Sequence, residues 1–321
     1  MNTSEFKKIA VLGGGLIGSS WATNFVWKGL DVHIYDINDD ALKTARNRVK
    51  GNLEYLVSKD IITSKEMNEA IGRTKYTTSV EEAVKDAGFM QESVLEFYEV
   101  KQKLLAEVDK YAPADAVFAS STSGLLITEI AKNSKHPERC LGAHPYNPPY
   151  LIPLVEISKG EKTSEQTVNK ACDFYKSLGK EPIVLRKEAL GFIANRLAIA
   201  LYREVIDLVM RGVCTIEDVD KAVNFGPGLR YALMGPVLIY QLGGGAGGVK
   251  GLSQHTGASS QLWLQDMAAW KEFPQEWADI AQEGVNVEMA NRSPDQGRTN
   301  EEIAKWRDEG LIAILKFLKK I

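Results

Sequence analysis

The sequence predicts an α/β chain: an N-terminal doubly wound parallel sheet followed by an all-α C-terminal domain. Three observations carry this expectation. A glycine-rich turn, Gly13-x-Gly15-x-x-Gly18, stands between an apolar run and a helical run. Short apolar runs then alternate with helical patterns from Lys8 to about Arg186, as a sheet with crossover helices requires. Beyond that point the texture turns helical, beginning with a long apolar pattern after Gly191. The change of texture divides the chain into segments 1–187 and 188–321, and 321 residues is a length that fits two domains.

The first strand is Lys8-Ile9-Ala10-Val11-Leu12. Leu16 and Ile17 fill the free positions of the glycine pattern, and the helical run that follows ends at Gly29. Residues 30–36 make a second strand that closes on Asp36, about twenty residues past the glycines. This is the order of a Rossmann-type dinucleotide site. Gly13 permits the tight turn, Gly15 lets a pyrophosphate approach the backbone, and Gly18 lets helix and strand pack closely. The helix N-terminus then faces the phosphates. A purely structural glycine turn is the bland alternative, and the strand, helix and acid around it disfavour that reading. Asp36 would accept hydrogen bonds from both ribose hydroxyls and repel a 2′-phosphate, so NAD is expected over NADP. Arg46 and Arg48 downstream pull weakly the other way.

Helices are expected over residues 39–56 and 63–71. Residues 87–93 and 116–122 are apolar runs that end in polar residues, the form of parallel strands whose C-terminal ends face a crevice. Residues 139–143 and 153–158 read as a strand and its return, joined by a turn rich in proline and asparagine. The return can bring Glu156 alongside His144, a pairing that suits a base and the carboxylate that orients it. A structural salt bridge would explain the same pattern about as well. Residues 181–186 make the last strand.

The segment from Gly191 is expected as a long apolar helix buried between domains or subunits. Residues 231–249 carry no ionisable side chain except Tyr231 and Tyr240, yet Pro236, Gln241 and the glycines from Gly243 to Gly248 make a poor membrane-spanning helix. A turn, a buried helix and a flexible glycine loop are expected there. The last helix opens with the capping box Thr299-Asn300-Glu301-Glu302 and carries Leu311, Ile314, Leu315 and Leu318 on one face.

Bulk properties narrow the function. Hydrophobic content of 44% and charged content of 25% are ordinary for a globular protein, and a net charge of −3 advertises neither nucleic acid nor an anionic membrane. The odd, widely spaced Cys140, Cys172 and Cys214 form no metal-ligand spacing; they read as reduced thiols of a cytoplasmic protein, and no metal is expected. The amino terminus enters the first strand without a hydrophobic leader.

With these pieces in order, the chain resembles the L-3-hydroxyacyl-CoA dehydrogenase superfamily along nearly its whole length. The matches are the nucleotide fingerprint, Ser120-Ser121-Thr122-Ser123, the segment from His144 to Glu156, and Gly191-Phe192-Ile193-Ala194-Asn195-Arg196. Within it the chain looks most like the branch of L-gulonate 3-dehydrogenase (lambda-crystallin) and carnitine dehydrogenase. That finer likeness rests on His144-Pro145-Tyr146-Asn147-Pro148-Pro149-Tyr150, on the stretch Gly228-Leu229-Arg230-Tyr231-Ala232-Leu233-Met234-Gly235-Pro236, and on Trp306-Arg307-Asp308-Glu309.

The resemblance implies that His144 is the acid/base, Glu156 its partner, and Ser123 and Asn195 the groups that hydrogen-bond the reacting oxygen. It also implies that Glu96, Lys101 and Asn147 lie near the nicotinamide ribose. By themselves Glu96 and Lys101 read as a solvated pair at a helix start. Ser121 replaces the family's usual asparagine, which leaves the serine role intact and argues against acyl-CoA specificity. Where acyl-CoA members have a short Gly-x-Pro-Met-Gly-Pro turn, this chain inserts residues 229–233. Arg230 within that insert suits a free carboxylate, which accepts two hydrogen bonds from a guanidinium as a thioester does not; a surface arginine is the alternative.

The reading is an NAD-dependent oxidation of a small 3-hydroxycarboxylic acid, with gulonate-like sugar acids first. Carnitine is second, its trimethylammonium group calling for an aromatic cage from Trp263, Trp270 and Tyr240. A 3-hydroxyacyl-CoA is third, and a non-catalytic, crystallin-like dinucleotide-binding protein is the rival from another class. A homodimer is expected, because the helical half is too small to bury its own apolar surface and the superfamily pairs through that domain. No nucleic acid or membrane partner is expected.

Overall fold

The first strand is β1 (Lys8–Leu12), whose Ile9, Ala10, Val11 and Leu12 are all fully buried, as the central strand of a two-faced sheet must be. The structure is a computed structural model describing residues 6–321, so the first residues of the amino terminus, where no hydrophobic leader was expected, lie outside the described residues. After β1 come α1 (Leu16–Trp27), β2 (Asp31–Tyr35), α2 (Asp39–Ser58), α3 (Ser64–Gly72), β3 (Thr74–Thr77) and α4 (Val80–Val84). The chain then returns to the other side of β1 through β4 (Phe89–Glu92), α5 (Tyr98–Tyr111), β5 (Val117–Ser120), α6 (Ile127–Ile130) and β6 (Cys140–Pro145). It finishes the sheet with β7 (Leu154–Lys159), α7 (Glu165–Ser177) and β8 (Glu181–Val184).

The strand order is β3-β2-β1-β4-β5-β6-β7-β8. Strands from β3 to β6 are parallel, β7 runs antiparallel to β6, and β8 is parallel to β7. The winding changes direction between β1 and β4, so the crevice at their C-terminal ends is where a dinucleotide crosses a sheet of this kind. Strand β3 escapes the sequence reading because Thr74-Lys75-Tyr76-Thr77 is short and polar, and only its pairing with β2 makes it a strand. One face of the sheet is filled by rings, with Phe89 and Phe174 centroids 4.3 Å apart and Trp21 stacked on Phe25.

Two compact units divide the chain after Arg196, and Lys319–Ile321 pack with the first. The expected boundary at residue 187 therefore falls inside the first unit, because backbone groups at Ile193 and Ala194 are tied back to the sheet by Glu156. The second unit comprises α8 (Ala194–Met210, from Leu197 on), α9 (Ile216–Phe225), α10 (Pro227–Tyr231), α11 (Pro236–Gly243), α12 (Gly248–Asp266), α13 (Trp277–Asn291) and α14 (Asn300–Phe317). Its core is small: Ile206, Ile216 and Trp277, with Val209, Trp270, Ala281 and Val285 against them.

Two expectations here are corrected. Helix α11 is not buried: Val237 is 71% exposed and Leu238 53%. The glycine run is no loose loop, since Gly245–Gly247 form a 3-10 turn that leads straight into the 19 residues of α12. The capping box at Thr299 is present, its hydroxyl accepting from Glu302 N. Among the described residues no helix is long and apolar enough to cross a membrane.

Candidate active site

The nucleotide end is built by the turn between β1 and α1. Gly13 adopts φ +99°, a conformation that side chains resist, and a Cβ there would meet the Ser93 carbonyl at 2.8 Å. A Cβ on Gly18 would lie 1.8 Å from Gly13 O, so helix and turn meet backbone to backbone. Gly15 is different, because a Cβ there would meet nothing within 4 Å. That open space adjoins the first turn of α1, which has no side-chain cap and no acid, so its N–H groups remain for an anion. Asp36 holds the other edge, its Oδ2 accepting from Gly14 N and its Oδ1 from Ile37 N, both at 2.8 Å. Those bonds aim the carboxylate at the glycine turn and leave lone pairs for ribose hydroxyls. The guanidinium of Arg46 lies over the Tyr76 ring, 4.7 Å from its centroid. These residues fit a dinucleotide without a 2′-phosphate.

The reactive end is built by the hairpin of β6 and β7. The register sets His144 directly opposite Glu156. The pair meets at 2.8 Å between Nδ1 and Oε2, with Glu156 wholly buried and His144 nearly so. An ionised carboxylate only accepts, so Nδ1 carries the hydrogen and Nε2 of the neutral ring is the acceptor. The second oxygen, Oε1, accepts from Ile193 N and Ala194 N, each at 2.9 Å, at the start of α8. Burial works against ionisation of Glu156, but the hydrogen bond from His144 and the two backbone N–H groups outweigh it, holding the carboxyl below its ordinary value.

His144 lines a cleft of about 350 Å³ together with Ile17, Ser121, Ser123, Tyr146, Asn147 and Asn195. The expected residues Ser123, His144, Asn147 and Asn195 thus share one wall with the nucleotide turn. Asn195 Nδ2 donates to Ser123 O at 3.0 Å, which leaves its second N–H to the cleft. Behind them, Glu96 Oε1 accepts from Thr122 Oγ1 (2.6 Å) and Ser123 N (2.7 Å) and fastens the serine turn.

Lys101 departs from the simple reading of its pair with Glu96. It is 1% exposed, not solvated, and its ammonium sits between Glu92 Oε1 (2.8 Å) and Glu96 Oε2 (3.2 Å). Glu92 and Thr122 were missed in the sequence; the available signal was an acid ending the apolar strand 87–93. Of the rings expected to cage a trimethylammonium group, Trp270 packs with Phe273, and among the described residues no ring contact joins it to Tyr240 or Trp263. Arg230 is exposed on α10 in the second unit. Cys140 is buried, while Cys172 and Cys214 are half-buried. Among the described residues no cluster of three or more ligating side chains could hold a metal.

Residues 8–189 match the NAD binding domain of 3-hydroxyacyl-CoA dehydrogenase, and residues 191–280 match its C-terminal domain. The chain is 38% identical to the L-carnitine dehydrogenase of Oceanobacillus iheyensis, covering 98% of both chains. It is 37% identical to that of Pseudomonas putida, over 98% of this chain and 95% of the relative. Among solved structures, 5-formyl-3-hydroxy-2-methylpyridine 4-carboxylic acid 5-dehydrogenase, described as an NAD+ dependent dismutase, superposes with a TM-score of 0.78 at 28% identity, over 98% of this chain and 97% of that one. The chain belongs to the 3-hydroxyacyl-CoA dehydrogenase family and is an NAD-dependent oxidoreductase acting on a CH–OH group.

Proposed function

We propose that the chain oxidises the 3-hydroxyl of L-carnitine, or of a close 3-hydroxycarboxylic acid, to the 3-keto acid. The observation that carries this reading is identity of 37–38% along essentially the whole chain to enzymes named L-carnitine dehydrogenase. It reverses the order expected from sequence, since nothing in these relatives supports a gulonate-like sugar acid. The dismutase relative acts, by its name, on a small carboxylic acid, which favours a free acid over a thioester.

Bound NAD supplies the hydride acceptor. In this reading the protein's residues do the rest. Nε2 of His144 takes the hydroxyl proton while Glu156, already bonded to Nδ1, stabilises the imidazolium that results. Ser123 Oγ and the second N–H of Asn195 hold the reacting oxygen as it becomes a carbonyl. Glu96, braced by Lys101, and Asn147 line the nicotinamide side. Arg230 is assigned the substrate carboxylate.

The test is a panel of L-carnitine, L-gulonate and a 3-hydroxyacyl-CoA, followed by NADH absorbance. Turnover of carnitine above the other two is expected; turnover of the thioester with an inert carnitine would overturn the reading. We further infer a homodimer, because the second unit exposes Leu197, Phe225, Val237 and Leu262 at 61–75% beside so small a core. A monomeric mass by light scattering at micromolar concentration contradicts it.

A further inference from the structure

A fully buried carboxylate that the reaction does not use lies under the reactive end. Glu92 closes β4, in register with Leu12 of β1 and Ser120 of β5, so it stands at the C-terminal ends of three central strands beside the switch in winding. It is 0% exposed, and each oxygen is engaged: Oε1 by Lys101 Nζ and Val94 N (2.7 Å), Oε2 by Ser120 Oγ. Lys101 in turn reaches Glu96 and, at 3.4 Å, Val94 O. Glu96 holds Ser123 N, and Ser123 O holds Asn195. A line of contacts therefore runs from the sheet interior to the cleft.

The charges along that line do not cancel. One ammonium lies between two carboxylates, a formal charge of −1; Glu92 and Lys101 are buried, where screening is weak, while Glu96 is 42% exposed and faces water. The nicotinamide ring is cationic when oxidised and neutral when reduced, so a nearby negative charge favours the oxidised form alone. We propose that Glu92 is a positioning residue that, through Lys101, sets the charge presented to the nicotinamide end of the dinucleotide and so the preference for NAD over NADH. The inference rests on the nicotinamide lying beside Glu96, as in the function proposed above, and not on which acid is oxidised.

The experiment measures Kd for NAD and for NADH by fluorescence, without substrate, in the full-length protein, alongside the Tm of the cofactor-free form. Glu92→Gln keeps the shape and lets the amide oxygen accept from Lys101 and Val94 while its NH2 donates to Ser120, but it neutralises the cluster. The ratio Kd(NAD)/Kd(NADH) should rise about fivefold or more, the order of magnitude expected for losing one weakly screened charge. Glu92→Asp, which keeps the charge, should retain the ratio of the unmutated protein. Glu92→Gln combined with Lys101→Met restores the charge of −1 and should bring the ratio back. That double variant also decides the matter if the single one unfolds, since it removes both members of the buried pair together.

A ratio unchanged in Glu92→Gln while Glu96→Gln shifts it overturns the role of Glu92. A ratio unchanged in both overturns the placing of the nicotinamide beside Glu96, and the inference with it. A double variant whose ratio stays far from that of the unmutated protein shows shape, not charge, and also overturns it. Carnitine turnover is read separately, so a failure here leaves the substrate reading standing.

Discussion

Replacing Glu156 by glutamine tests the reactive pair more sharply than deleting it, because the amide must choose between two partners. The carboxylate serves both at once, with Oε2 accepting from His144 Nδ1 and Oε1 from Ile193 N and Ala194 N. Glutamine has one oxygen that accepts and one nitrogen that donates. With the oxygen on the two N–H groups, the NH2 faces Nδ1, which must then accept; the ring hydrogen moves to Nε2 and the base is lost. Turning the amide restores the base but sets NH2 against two part-buried donors, each left unpaired at a cost of about 1–3 kcal/mol. Two such donors amount to about 2–6 kcal/mol, or a fall in kcat of roughly thirtyfold to ten-thousandfold at about 1.4 kcal/mol per decade. The assay is steady-state turnover of carnitine with NAD, with NADH binding measured in parallel and expected to hold. In a His144→Ala background the same change should cost little more, since the base it serves is already gone. Turnover of Glu156→Gln within threefold of the unmutated enzyme would refute the tautomer argument.

His144→Ala should lower kcat by several orders of magnitude and leave NADH affinity nearly intact; near-normal turnover sinks the acid/base assignment. Asp36→Ala should erode the preference for NAD over NADP, and equal use of both cofactors by the unmutated protein contradicts the ribose role given to Asp36. Arg230→Met should raise KM for the free acid about ten- to hundredfold, with partial recovery in Arg230→Lys, because lysine offers a charge without the planar fork. An unchanged KM removes Arg230 from the substrate-binding role. Lys180 is buried, donating to Pro149 O and Ile152 O; burial, then the Lys28 charge, lower its pKa from 10.5 to about 7. Between those values the unfolded chain binds more protons than the folded one, so stability should rise with pH across that window, with the cost of the buried ammonium felt in full below pH 7. Lys180→Met should lose this dependence, and parallel curves of Tm against pH for the two proteins would count against it.

Features written in local chemistry were legible before the structure. The glycine turn demands its residues for backbone reasons at Gly13 and Gly18, and the Thr299 capping box is a matter of spacing alone. The His144 and Glu156 hairpin was readable because prolines mark the turn and the flanking runs are strand-like. What stayed hidden depends on distant neighbours. Nothing local tells that Lys101 is buried, since its carboxylate partners arrive from β4 and from the approach to α5. Strand β3 exists through β2, and α11 looks like a core helix by composition yet is exposed, because burial is set by what packs against a segment.

The direct opposition of His144 and Glu156 across β6 and β7 has a consequence for how this hairpin can vary. Side chains alternate between the faces of a sheet, so one residue gained or lost inside either strand turns one partner to the opposite face. The connection between the strands is under a weaker constraint, because it can lengthen without altering which residues stand opposite. Insertions in the turn should therefore be survivable where they spare the Lys180 contacts, whereas a single insertion between Cys140 and His144, or between Glu156 and Lys159, separates acid from base while leaving composition and hydrophobic content almost untouched.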